Sequence, residues 1–265
     1  MMIAIWSPKG GTGVSSVAWG LAKAMKEQIH LIDFDLLTPA LAAMAGLEDT
    51  HHGLDRVLLH ADQLFIKNAL KENWVNINDV RLLPGVKYPP GHEETLTAEA
   101  TIKALLEPIQ SETVLVDAGT GLCHPLQREI LLRADVIIVV VTPYLLSYHR
   151  LWTMWQNDFF IPYGQMRKTG VLVNQFHGSV APKDIATLMD IWLAGDLPTV
   201  KQMEDAVNQG HLHAAYPRPF LKCLRKIGEG ILERTEQINS SVKMTQESRV
   251  KRGGERREWQ YETRP

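Results

Sequence analysis

The stretch Ile3-Ala4-Ile5-Trp6-Ser7-Pro8-Lys9-Gly10-Gly11-Thr12-Gly13-Val14-Ser15-Ser16 limits what this chain can fold into more than any other segment. An apolar run, Ile3 to Trp6, passes into a glycine-rich loop, and the residues from Val17 to Met25 continue as a helix suited to packing on a sheet. A helix that opens straight after such a loop presents N–H groups with no intrahelical partner, and those amides attract anions. Laid against the phosphate-binding pattern G-x-x-x-x-G-K-[ST], the chain has Gly13 and Ser15 in register, Pro8 at the first Gly and Val14 at the Lys. The segment reads as a phosphate cradle short of one cation. The alternative, a glycine-rich turn with no ligand, is disfavoured by the strand before the loop and the helix after it.

Strand and helix signals then alternate, which predicts an α/β fold with a mostly parallel central sheet and helices on both faces. Predicted strands are Ile29 to Ile32, a strand end at Arg81-Leu82-Leu83, Thr113 to Val116, the β-branched run Val136 to Val141, and Gly170 to Asn174. Helical stretches are predicted from Pro39 to Ala45, within Leu54 to Leu70, from Thr97 to Leu106 with Pro108 closing it, from Ser147 to Gln156, and from Pro217 to Arg234. His51-His52-Gly53 reads as a turn and Tyr88-Pro89-Pro90-Gly91 as a loop. Leu151, Trp152 and Trp155 are read as core, so no nucleic-acid partner is expected. At 265 residues, 45% hydrophobic and 22% charged, the chain has enough apolar material for one large domain.

Ligands of parallel sheets bind at the carboxyl ends of the strands, so the residues at those ends matter most. Asp33 and Asp35 flank one position after the second strand, and both carboxylates can face one crevice, or the two can cap the following helix. Asp117 ends a later strand ahead of Gly119 and Gly121, placed to reach a metal-bound water beside the loop or to serve a turn. Asn174 ends another and carries both a donor and an acceptor, as an adenine edge requires.

The run Lys9-Gly10-Gly11-Thr12-Gly13, followed by Ser15-Ser16, resembles the deviant P-loop of the MinD/ParA superfamily of P-loop NTPases. Its continuation Gly13-Val14-Ser15-Ser16-Val17-Ala18 is similar to the TadZ/CpaE pilus-assembly branch, which also has a small apolar residue in place of the second lysine. The resemblance extends in order from residue 1 to about 234, through Asp33-x-Asp35, Asp117, Asn174, and Leu197-Pro198 followed by Ala206, Asn208 and Gly210. It implies ATP and Mg²⁺ as cofactors, with Lys9, Gly10, Gly11, Thr12, Gly13, Val14, Ser15, Ser16 and Asn174 contacting nucleotide. It further implies a metal site of Ser15, Asp33 and Asp117, a water-positioning role for Asp35, and a homodimer in which Lys9 reaches the partner's phosphates. The implied function is a nucleotide-dependent positioning or assembly factor serving pilus or secretion machinery, with weak or absent hydrolysis because Val14 replaces the loop lysine. An active ATPase of the partition or division-site type is the competing reading. A metal or electron-transfer chaperone is the third, set back by having only Cys123 and Cys223, which read as buried inert thiols.

The longest apolar run, Val136 to Val141, is too short to cross a bilayer, and Met1 to Ile5 has no basic leader, so a cytoplasmic protein with at most peripheral membrane contact is expected. From Lys243 to Arg257 six basic and two acidic side chains accompany few apolar ones. The chain is therefore divided into a domain over 1–236 and a basic, disordered tail over 237–265.

Overall fold

The computed structural model describes residues 1–25, 29–47, 53–58, 63–87, 99–109, 112–178, 180–212 and 216–258. An eight-stranded sheet organises them in the spatial order β3-β4-β2-β5-β1-β6-β7-β8. The strands are β1 Met2–Ser7, β2 His30–Asp33, β3 Val75–Ile77, β4 Val80–Leu83, β5 Val114–Thr120, β6 Val136–Val141, β7 Thr169–Phe176 and β8 Trp192–Pro198. Every pairing is parallel except the edge pair of β3 with β4.

β1 lies in the middle, between β5 and β6, because its helix crosses to β2 on one side while the chain later returns over it to β6 on the other. Both of its faces are covered, and the two-residue period of a strand shares its side chains between two cores. Ala4 and Trp6 join one core and Ile3 and Ile5 the other; in β6, Ile137, Val139 and Val141 join the first and Val136, Ile138 and Val140 the second. The unbroken apolar runs seen in the sequence are thus the mark of strands buried on both sides.

The second core holds helix α1, Val14–Met25, against the C-terminal helix Arg218–Glu258. Phe220, Leu224, Ile227 and Ile231 recur at helical spacing and form the buried stripe of that helix. The first core is filled by an aromatic cluster in which Trp6 and Trp152 each pack on Phe160, with centroids 5.4 and 4.9 Å apart.

Several boundaries differ from the sequence reading. The helix predicted from Ser147 to Gln156 is instead Leu145–Tyr148, Arg150–Trp155 and a π-helical turn Gln156–Phe160, and this wider turn sends adjacent Phe159 and Phe160 both into the core. Pro108 lies inside the last turn of Glu99–Ile109, where the missing N–H removes only a terminal bond. The antiparallel edge strand β3 went unread, since three half-exposed residues carry no periodic signal. The final helix continues from Arg218 to Glu258, past the predicted end at Arg234, through a segment rich in good helix formers. Cys123 and Cys223 are both exposed, not buried: Cys123 sits in the loop after β5 and Cys223 on the outer face of the C-terminal helix. His51-His52 and the loop Tyr88 to Gly91 lie outside the described residues. Among the described residues no helix is long and apolar enough to cross a membrane.

Candidate functional site

The glycine-rich loop occupies residues 8–13 at the carboxyl end of β1 and feeds directly into α1. Gly11 and Gly13 adopt φ of +79° and +85°, a left-handed conformation that other residues rarely hold, so the loop's curvature depends on them. Ser7 Oγ accepts from the Lys9 N–H at 3.2 Å, and the Gly13 carbonyl accepts the first helical bond from Val17 at 2.9 Å. The amides of Val14, Ser15 and Ser16 therefore open the helix without intrahelical partners. Lys9, Gly10 and Gly11 are exposed, while Thr12 is buried. Val14 packs among the core residues behind the loop, and an aliphatic side chain there supplies no charge to a phosphate.

The three acids converge one and two strands away. Asp33 and Asp117 are register partners across β2 and β5, and Asp117 is also the partner of Ile5 in β1. All three carboxylates are buried, and Gly119, at φ +64°, lets the end of β5 lie against Asp35, whose carboxylate carbon would sit 2.5 Å from any Cβ there. Their hydrogen bonds separate them. Asp33 accepts from the N–H of Asp35 on one oxygen and from those of Ala40 and Leu41, at 3.1 and 3.0 Å, on the other. It thereby caps the helix Leu41–Met44, the plainer of the two roles open to it from sequence. Asp35 accepts from the Leu37 and Thr38 amides and the Thr38 hydroxyl, each at 3.0 Å. Asp117 accepts from the Gly119 N–H at 3.0 Å on one oxygen, with the Ser15 hydroxyl nearby, and its Oδ2 has no hydrogen-bond partner among the described residues.

Burial pushes the Asp117 carboxyl up to about 6, an effect that the Ser15 hydroxyl and the Gly119 N–H partly offset and Asp35 reinforces. Burial, and then the charge of Asp117, raise Asp33 well above the ordinary carboxylate range. A crowded, desolvated group of acids with one unpartnered oxygen is the environment a divalent cation relieves. Among the described residues no three His, Cys, Asp or Glu side chains converge closely enough to hold a metal by themselves. Mg²⁺ seldom needs such a set, because phosphates and waters supply most of its ligands. Ser15 and Asp117 fit that lesser requirement; Asp33, with both oxygens engaged by amides, fits it less well.

On the other side of the loop a cavity of about 410 Å³ opens between Gly13, Asn174, Thr199, Met203, Asn208 and Phe220. Its size is within the range of small-molecule sites. Asn174 is largely buried at its wall, and its Nδ2 donates to the Thr12 carbonyl at 2.8 Å. The next residue, Gln175, has φ +57°, and the β7–β8 register breaks there. Of the residues read as the base-side loop, Asn208 lines the cavity, whereas Gly210 turns its carbonyl toward Gly46. Thr199, Met203 and Phe220 went unread because each is unremarkable in sequence and meets the site only through packing.

A central parallel strand, a glycine loop at its carboxyl end and a helix opening on that loop define the α/β fold of P-loop NTPases. More narrowly, the fold is that of the MinD and ParA proteins. The MinC:MinD cell division protein complex of Aquifex aeolicus aligns at TM-score 0.69 and 20% identity, over 88% of this chain and 96% of that one. MinD of Pyrococcus horikoshii OT3, the septum site-determining protein complexed with Mg-ADP, gives 0.65 and 22%, over 87% and 95%. A ParA family ATPase from Chlorobium tepidum TLS gives 0.68 and 19%, over 86% and 98%. Neither a protein-family model nor a curated protein matches the sequence.

Proposed function

We propose that this chain is an ATP- and Mg²⁺-binding factor of the MinD/ParA type, which holds nucleotide at the interface of a homodimer and uses that state to position or assemble another machine. The observation that carries the reading is the meeting, at the carboxyl ends of the central strands β1 and β5, of the Gly11/Gly13 loop, the first amides of α1 and the Asp117 carboxylate. The Mg-ADP complex and the MinC complex among proteins of this fold support the nucleotide, the cation and a protein partner. Gly13-Val14-Ser15, similar to the TadZ/CpaE loop, supports a pilus or secretion assembly as the client. In this reading residues 1–236 are the nucleotide-binding domain, 237–265 a basic C-terminal tail, and the protein works in the cytoplasm with at most peripheral membrane contact.

The chain's own groups divide the work. The loop amides and the helix N-terminus bind the phosphates, Lys9 extends toward the partner subunit's nucleotide, and Ser15 with Asp117 would hold Mg²⁺. When bound, the cation neutralises charge on the phosphates. Asp35 would orient water, yet its oxygens are held by its own turn, and Val14 leaves no ammonium at the loop's second cationic position. Hydrolysis in this reading is therefore weak or absent.

One observation favours an active ATPase of the partition or division-site type: Asp35 and Asp117 remain together in the buried acidic group. Calorimetry with Mg·ATP tests the common premise, with saturable heat expected and no heat refuting it. Steady-state turnover with and without lipid, DNA and candidate proteins then divides the two. Rates like those of ordinary family members would establish the active enzyme.

A further inference from the structure

We infer that Asn174 is a positioning residue for the phosphate loop, so that one side chain ties the base cavity to the phosphate cradle. The inference rests on the nucleotide-binding reading and assigns Asn174 a task besides contact with a base.

The Nδ2 group of Asn174 donates to the Thr12 carbonyl at 2.8 Å across 162 residues of sequence. A trans peptide is planar with its C=O and N–H opposed, so anchoring the Thr12 carbonyl on Asn174 points the Gly13 N–H the other way. The bond thus sets the direction of one of the amides on which the cradle depends. The approach is close: a Cβ on Gly13 would meet Asn174 Nδ2 at 2.4 Å, so the loop and the amide are fitted to each other. Thr12 is buried, so loss of this donor removes a hydrogen bond from a desolvated part of the loop.

The strand that carries Asn174 is shaped for the purpose. Gln175 holds a left-handed φ of +57°, unfavourable for a residue with a side chain, and the register of β7 against β8 shifts between Val173 and Phe176. Such local strain persists only where the surroundings enforce it, and here it falls on the residue directly after Asn174. Asn174 also lines the cavity shared with Thr199 and Asn208, so the residue that holds the loop borders the space an occupant would fill.

The test uses a ligand that has phosphates and no base. Asn174→Ala and Asn174→Asp are titrated with Mg·ATP and with Mg·tripolyphosphate, the aspartate keeping the shape of the side chain while presenting only oxygen to Thr12. Both variants are expected to bind tripolyphosphate about tenfold less tightly than the parent protein. Hydrogen exchange of the ligand-free proteins is followed in parallel, with faster exchange over residues 7–16 and unchanged exchange over β6 expected in both variants. Weakened ATP binding with unchanged tripolyphosphate binding assigns Asn174 to the base alone and overturns the inference, as does unchanged exchange in the loop. Absence of any ligand binding by the parent sinks the nucleotide reading instead, and loop exchange then decides whether the brace exists.

Discussion

Asp117 has one oxygen on the Gly119 amide and the other unpartnered, in a fully buried position. Its carboxyl lies at about 6 in the folded chain against an ordinary 3.8, so between those values the folded state binds the proton that the unfolded state has released. The stabilising contribution is complete below about pH 4, is lost as the pH rises through about 6, and is on the order of 3 kcal/mol. Asp33, shifted in the same direction, adds to the trend. The thermal midpoint of the nucleotide-free protein is therefore expected to fall as pH rises across this window. Asp117→Asn should flatten that slope, stabilise the apoprotein at pH 7.5 by about 1–3 kcal/mol, and abolish Mg²⁺-dependent nucleotide binding. An unchanged slope would show that the carboxyl titrates as an ordinary one. Val14→Lys addresses the loop's missing cation: turnover is expected to rise, while removing a buried valine at the start of α1 lowers stability by about 1–2 kcal/mol. No gain in turnover would place the fault in the acids and the turn after Asp35.

At the scale of elements, the phosphate loop depends on how α1 is seated. Gly20 lies where α1 crosses the C-terminal helix, and a Cβ there would come within 2.7 Å of both Leu224 Cδ1 and the Tyr216 ring. Tyr216 in turn donates its hydroxyl to the Ser16 carbonyl at 2.7 Å, in the first turn of α1. A Cβ at Gly20 would displace Tyr216 and so disturb its bond to the first turn of α1. Gly20→Ala is expected to lower unfolding stability in urea by about 1–3 kcal/mol and to weaken Mg·ATP binding in the same variant. Lost stability with unaltered affinity would mean that the loop is held independently of the helix pair.

For the whole molecule the open question is assembly. Lys9 is exposed on the loop and has no ion pair among the described residues, which suits a side chain that finds its counter-charge on another copy. Lys9→Ala is expected to leave the fold intact and abolish the Mg·ATP-dependent increase in mass seen by light scattering. A dimer that persists in the variant would contradict the role of Lys9 across the interface. Much of this organisation was legible in the sequence because local patterns carried it. The strand into a glycine loop into a helix needs only neighbours in the chain, and Val136 to Val141 has the composition of a strand covered on both faces.

Other features belong to the tertiary structure alone. The pairing of Asp33 with Asp117 follows from β5 inserting between β2 and β1, an order that no single strand encodes. The assignment of Asn174 shows the same division: its residue type and its place at a strand end mark it as a binding side chain. Its bond to Thr12, however, forms only when β7 comes to lie near β1 with β6 between them. By itself the sequence determined the alternation of strands and helices, the glycine loop and the acids at the strand ends, because short-range sterics and burial periodicity govern those. Only the tertiary structure decided which acid keeps a vacant oxygen, which helix a carboxylate caps and which amide braces the loop, because burial and long-range contacts set the energy of each polar group.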